Sequence, residues 1–359
     1  MKQINRLNKL RALLKAKICD AILINKEENL HYFSGFRGDD TFLIITLDKC
    51  FLITDSRYTQ QAKEQTEFEV IEHKTGIIAK TIELVQKLGV QSLAFEGNAL
   101  IFNIYNKLQS ELNALDIDFS TALDLTELRI IKDEEELALM KKAIAISDEA
   151  YSEILKFVKV GMSEIQVAAQ LEHIMRKLGS ERPAFTTIVA SGLRGALPHG
   201  VATDKLINDG EFVTIDFGAV YKGYHSDITR TFCVGKANDK QHELYDIVLG
   251  AQLIGLKEIM PGKSGKDVDT SVRKYIENAG YGKFFWHGLG HGVGLEIHEL
   301  PRLSPFSPTK ALQENMLVTD EPGIYMPDFG GIRIEDTVLV TANGCQALTQ
   351  SDKRLIEIM

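Results

Sequence analysis

Cysteine is scarce in this 359-residue chain. The four present (Cys19, Cys50, Cys233, Cys345) are scattered and form no C-x-x-C pair. That argues against a disulfide framework and fits reduced thiols in a cytoplasmic protein. No run of about 18 apolar residues occurs, so no membrane span is expected. The basic start, MKQINRLNKLRALLKAK, lacks an apolar core of signal-peptide length. Positive charge is not in excess: 41 Lys and Arg stand against 50 Asp and Glu, a net charge of −9. A nucleic-acid partner is therefore not expected, because such binding rests on basic patches. Phosphate loops are missing too. The glycines at 288–294 break the G-x-G-x-x-G spacing at Val293, and Gly262-Lys263-Ser264 has Lys257 where a P-loop needs its first glycine. No H-E-x-x-H zinc motif is present.

What is there is an ordinary globular composition, 44% hydrophobic and 25% charged. The length suggests two domains with ample cores. Residues 1–126 alternate strand and helix signals: an amphipathic opening helix (Leu7, Leu10, Leu13, Leu14), apolar runs at 21–24, 41–47, 51–54, 68–71 and 92–96, and helices near 58–65, 77–88 and 100–112. This predicts a self-contained α/β domain without chemistry of its own. A domain boundary is placed at 126/127. The acidic run 133–136 reads as a solvated helix start, where carboxylates complement the macrodipole. Ser163 and Gln166 form a capping box for a second helix, and Ser264 caps a later one that stops at Gly280. Helix pairs followed by strands occur twice in 127–359, suggesting an approximate duplication.

Two groups of residues carry chemistry. The stretch 285–299, FWHGLGHGVGLEIHE, holds His287, His291 and His298 among alternating glycines. So much glycine disfavours helix and lets backbone pass close to a ligand or another strand. In an extended segment His287 and His291 share a face, and His298 needs a bend or bulge to join them. The second group is acidic. Asp216 (IDFG) and Asp227 (HSDIT) flank a hairpin signal at Lys222-Gly223. A two-residue loop there pairs positions whose numbers sum to 445, putting both aspartates on one face, whereas a three-residue loop would put them on opposite faces. Glu321 sits in DEPGIY, and Glu335 shares a strand face with Arg333. Four carboxylates and one imidazole would balance two divalent cations, and an oxygen-rich set favours Mn²⁺ or a similar ion over a structural zinc.

The series IDFG, HSDITRTF, GLGHGVGLEIHE, EPGIY and GIRIEDT strongly resembles the pita-bread metallopeptidases, in their aminopeptidase P and prolidase (Xaa-Pro peptidase) branch. The likeness spans 127–359, and the preceding α/β domain also fits that branch. It implies an α/β (α+β) protein: a creatinase-type N-terminal domain, 1–126, before a pita-bread catalytic domain, 127–359. It implies Asp216, Asp227, His291, Glu321 and Glu335 as ligands of two divalent ions (Mn²⁺, with Co²⁺ or Zn²⁺ as alternatives), with Asp227 and Glu335 bridging. It further implies that His199, His287 and His298 line the substrate site and that Arg333 supports the ligands. His298 or His199 would stabilise the oxyanion, and Glu321 would carry the proton to the leaving nitrogen. The expected activity is Xaa-Pro aminopeptidase, on peptides with proline second, with Xaa-Pro dipeptidase (prolidase) as the alternative. A creatinase-like amidinohydrolase or a non-enzymatic binding protein ranks lower, because all five ligand positions are kept. Homodimerisation is a family expectation. One departure is Asp320, where relatives usually carry an apolar residue before EPG.

Overall fold

The computed structural model describes residues 2–359. The chain divides into two compact units, one ending at Leu128 and the other running Arg129–Met359. In the first, a six-stranded sheet has the order Glu69–Glu72, Cys50–Thr54, Phe42–Thr46, Ala21–Ile24, Leu93–Glu96, Ala122–Leu123. The strands AILI and FLIIT are buried along their whole length and, Thr46 aside, apolar, as strands covered on both faces should be. One helix, Glu27–Ser34, is not signalled by periodicity. Eight residues make barely two turns, and Gly35 ends it in the left-handed conformation (φ 78°).

The second unit repeats a simple plan. Helices Glu134–Ile154 and Glu164–Lys177 precede strands Ile188–Ser191, Glu211–Phe217 and Ile228–Val234. Helices Asp239–Glu258 and Gly265–Asn278 precede the strands that run from Gly290–Gly292 to Gly344–Ala347. Each helix pair packs on its own sheet around a separate apolar core, one holding Tyr151, Leu171, Val213 and Phe232, the other Val248, Val272, Leu303 and Val338. The capping boxes at Ser163/Gln166 and Asp133/Glu136 are both closed. The acidic run is only half solvated, however. Glu134 and Glu135 are exposed, whereas Glu136 is buried, accepting from the Asp133 N–H at 3.0 Å and from the Tyr224 hydroxyl at 3.2 Å.

The Lys222-Gly223 turn decides the geometry of the site. Both residues have positive φ (47° and 83°), the two-residue turn whose twist matches antiparallel strands. Thr229 therefore pairs with Asp216 and Ile228 with Phe217. Because a β-branched residue in the left-handed region costs roughly 1–2 kcal/mol, Gly223→Val should lower unfolding free energy by about that amount in denaturant titration. An unchanged midpoint would mean the turn is not under this constraint.

Candidate metal centre

The catalytic-type side chains stand at the ends of strands. Asp216 lies near the end of Glu211–Phe217, and Asp227 immediately precedes Ile228–Val234. Glu321 directly follows Leu317–Asp320, and Glu335 directly precedes Asp336–Thr341. Since Asp320 and Asp336 are paired across those two strands, their neighbours Glu321 and Glu335 come together at the same end. Ligand atoms of Asp216, Asp227 and Glu335 lie within 4.8 Å of one another. His291 completes the set: its Nε2 is 3.5 Å from Asp227 Oδ2 and 3.3 Å from Glu321 Oε1. Its Nδ1 donates to the Gly292 carbonyl at 3.0 Å, which turns Nε2 toward the carboxylates.

Neighbouring groups orient these oxygens. Thr319 Oγ1 donates to Glu321 at 2.9 Å, and Thr229 Oγ1 to Glu335 at 2.6 Å. Arg333 donates to Asp216 Oδ2 at 2.5 Å, to Thr229 Oγ1 at 3.0 Å and to the Tyr325 hydroxyl at 2.7 Å. Asp216 Oδ1 and Glu335 Oε1 are buried with no hydrogen-bond partner. Four carboxylates facing one guanidinium, with unpartnered oxygens turned inward, is a donor set suited to hard divalent cations. Burial, followed by the charges of its carboxylate neighbours, pushes Asp227 well above the usual carboxylate range, and Glu335 likewise. Burial raises Asp216 as well, against the pull of Arg333. Burial works on Glu321 in the same sense, but the hydrogen bond and charge of His291, with His287 and Arg333, bring it down to about 2.

A cavity of about 710 Å³ opens onto this centre, lined by His199, His287, His291, His298 and Arg302 as well as the carboxylates. The 285–299 stretch is not one extended strand. Gly290–Gly292 turns back through a loop into Glu299–Leu303, with a register shift after His291, and this brings the His298 ring 4.3 Å from that of His291. Desolvation in the cleft, with the charges of His291 and Arg302, lowers His298 to about 4, so it is neutral at pH 7. His287 lies in the cleft wall with both nitrogens engaged: Nδ1 donates to Gly288 O at 2.7 Å and Nε2 accepts from Tyr325 at 2.8 Å. Asp320 is fully buried against Gly255 of the helix behind the strand, and Glu321 keeps its Thr319 and His291 contacts beside it.

Sequence reasoning missed Tyr325, Thr229 and Arg302. Arg302 is directly opposite His291 in the antiparallel pair, hence on the same face. Its guanidinium has no ion-pair partner among the described residues. Only the hairpin register, invisible in the glycine pattern, could have found it.

The fold and this acidic cluster together define a metallohydrolase with a pita-bread catalytic domain. Residues 138–342 match metallopeptidase family M24, and 6–131 match the creatinase/prolidase N-terminal domain. The chain belongs to metallopeptidase family M24 and is a hydrolase. It is 42% identical to an Xaa-Pro dipeptidase of Pyrococcus furiosus, over 98% of this chain and 99% of that one. Its structure is similar to an Xaa-Pro dipeptidase from Bacillus anthracis (TM-score 0.95, 44% identity, 99% of each chain). It is also similar to an X-Pro aminopeptidase from Thermotoga maritima (TM-score 0.90, 41% identity, 95% of this chain and 98% of that one). No helix among the described residues is long and apolar enough to cross a membrane.

The raised carboxylates have a measurable consequence. Above the ordinary carboxylate range the folded chain without ions holds more protons than the unfolded chain, so its stability falls as pH rises through that window. Glu321, being lowered, is ionised in both states there and adds no slope. Cations displace the retained protons. The rise in Tm on adding Mn²⁺ should therefore be larger at about pH 8 than at about pH 5.5, read by thermal unfolding with and without chelator. A gain that is equal or smaller at the higher pH would contradict this.

Proposed function

We propose that the protein is an Xaa-Pro dipeptidase holding two divalent ions, Mn²⁺ by preference, through Asp216, Asp227, His291, Glu321 and Glu335. The observation that carries the dipeptide preference is Arg302, an unpaired cation in the cleft wall on the His291 face. A free dipeptide presents a carboxylate one residue beyond the scissile bond, and a guanidinium recognises it by charge-assisted hydrogen bonds. The two dipeptidase relatives support the same reading, which puts the alternative raised by the sequence ahead of the aminopeptidase expectation. The similarity to the Thermotoga X-Pro aminopeptidase keeps that reading as the second one.

Bound cations would supply charge that lowers the pKa of water and polarises the scissile carbonyl. The chain's own residues do the rest. Phe185, Ile188, Pro198, Val201 and Ile297 give the cavity apolar walls against which a proline ring packs. A bond to proline has no N–H to anchor, so shape and the terminal carboxylate provide the grip. Neutral His298 donates its N–H to the substrate carbonyl as charge develops there, with His199 beside it. Glu321 passes the proton to the leaving nitrogen. Arg333 holds Asp216 and, through Tyr325, fixes His287 as a rigid wall of the cleft. The same reading includes the cytoplasm as compartment and a homodimer as assembly.

Arg302→Met should raise KM for Xaa-Pro dipeptides by about 10-fold to 10²-fold and leave Xaa-Pro-Xaa tripeptides nearly unaffected. Wild-type enzyme that prefers the tripeptide would overturn the dipeptidase reading. His298→Ala should lower kcat by about 10²–10³ with two ions per chain retained by elemental analysis. Loss of metal in a folded His298→Ala protein would instead make His298 a ligand.

A further inference from the structure

His199 reaches the cleft from a loop, 192–202, that lies between the strands Ile188–Ser191 and Glu211–Phe217. Leu193, Leu197 and His199 on this loop are exposed, and a surface segment of this length is ordinarily mobile. A residue that contacts substrate cannot be left to wander, because misplacement by about 1 Å can cost on the order of 10² in rate.

One buried carboxylate gathers this loop from both ends. Glu164, the first residue of helix Glu164–Lys177, is fully buried. Its Oε1 accepts from the Ser191 N–H at 2.7 Å and the Ser191 hydroxyl at 2.9 Å, where the loop begins. Its Oε2 accepts from Thr203 N–H at 3.2 Å and Thr203 Oγ1 at 2.8 Å, where the loop ends. Arg194 Nε, inside the loop, donates to the same Oε2 at 2.9 Å, and its Nη2 continues to the Val201 carbonyl at 2.6 Å. The helix start adds main-chain bonds from Glu164 N to Lys205 O (3.0 Å) and from Ile165 N to Thr203 O (2.9 Å). On its other side the loop touches the strand that carries Arg333: a Cβ placed on Gly195 would stand 2.8 Å from the Gly331 nitrogen.

An acid at a helix start ordinarily serves the helix. Here that duty is already met, because Ser163 and Gln166 close the capping box without Glu164. A buried carboxylate is tolerated only when its lone pairs are filled, and all five donors that fill this one belong to the loop or its two ends.

We propose that Glu164 is a positioning residue that sets where His199 stands in the cleft. The inference rests on the reading of His199 as a substrate-contacting group. Glu164→Gln keeps the shape but turns an NH₂ toward either the Ser191 donors or those of Arg194 and Thr203. In the metal-loaded enzyme it should lower kcat/KM for an Xaa-Pro dipeptide by about 10-fold to 10²-fold, with metal content unchanged and faster hydrogen exchange at amides 192–203. In a His199→Ala background the same substitution should cost less than about twofold, because its effect passes through His199. Should Glu164→Gln not fold, Thr203→Val and Arg194→Met remove donors from the loop side, leave the acid in place, and carry the same cycle. Costs that add independently of His199, or unchanged exchange at 192–203, would overturn the proposal. If His199→Ala alone keeps full activity, the reading of His199 fails, and the exchange measurement alone decides whether Glu164 anchors the loop.

Discussion

Repulsion among four carboxylates in a buried cleft is the constraint on which the catalytic unit is built. Like charges this close raise one another's pKa and oppose folding unless something positive lies between them. The protein meets part of that need with Arg333 and with hydroxyl donors from Thr229 and Thr319. The remainder is uncompensated negative charge, which suits the site to cations. Strain of this kind needs a stiff frame. Each of the four carboxylates therefore lies at or next to a strand end, and His291 is in the middle of a three-residue strand.

The frame extends behind the ligands. Arg230, fully buried, donates to the main-chain carbonyl of Glu335 and, at 2.9 Å, to Asp336. It also binds the Ser351 carbonyl at 2.8 Å, and Lys353 reaches Asp336 at 2.6 Å. The C-terminal segment thereby closes the back of the strand Asp336–Thr341. His298 has comparable support. Glu296 and Glu299, on either side of it, are paired with Arg129 and Lys132. The two glutamates of the glycine-rich stretch thus hold the hairpin loop in place.

Much of this was legible in the sequence where local chemistry dictates local structure. Lys222-Gly223 specifies a tight turn, the turn specifies register, and register places Asp216 and Asp227 on one face. Ser163 with Gln166 and Ser264 with Gly280 mark helix ends for equally local reasons. What could not be read depends on contacts between distant segments. Tyr325 gains its role only when its hydroxyl meets His287 and Arg333, and Arg302 only when the strand after His298 folds back onto His291. Glu136 looks solvated beside three other acids until Tyr224 packs over it. The short helix Glu27–Ser34 is too brief to display its period.

We propose that the five converging side chains hold two cations. Anomalous diffraction from crystals grown with Mn²⁺ tests it most directly. Two peaks per chain are expected, both among Asp216, Asp227, His291, Glu321 and Glu335, with Asp227 and Glu335 touching each. A single peak, or ions bound elsewhere in active protein, would contradict it.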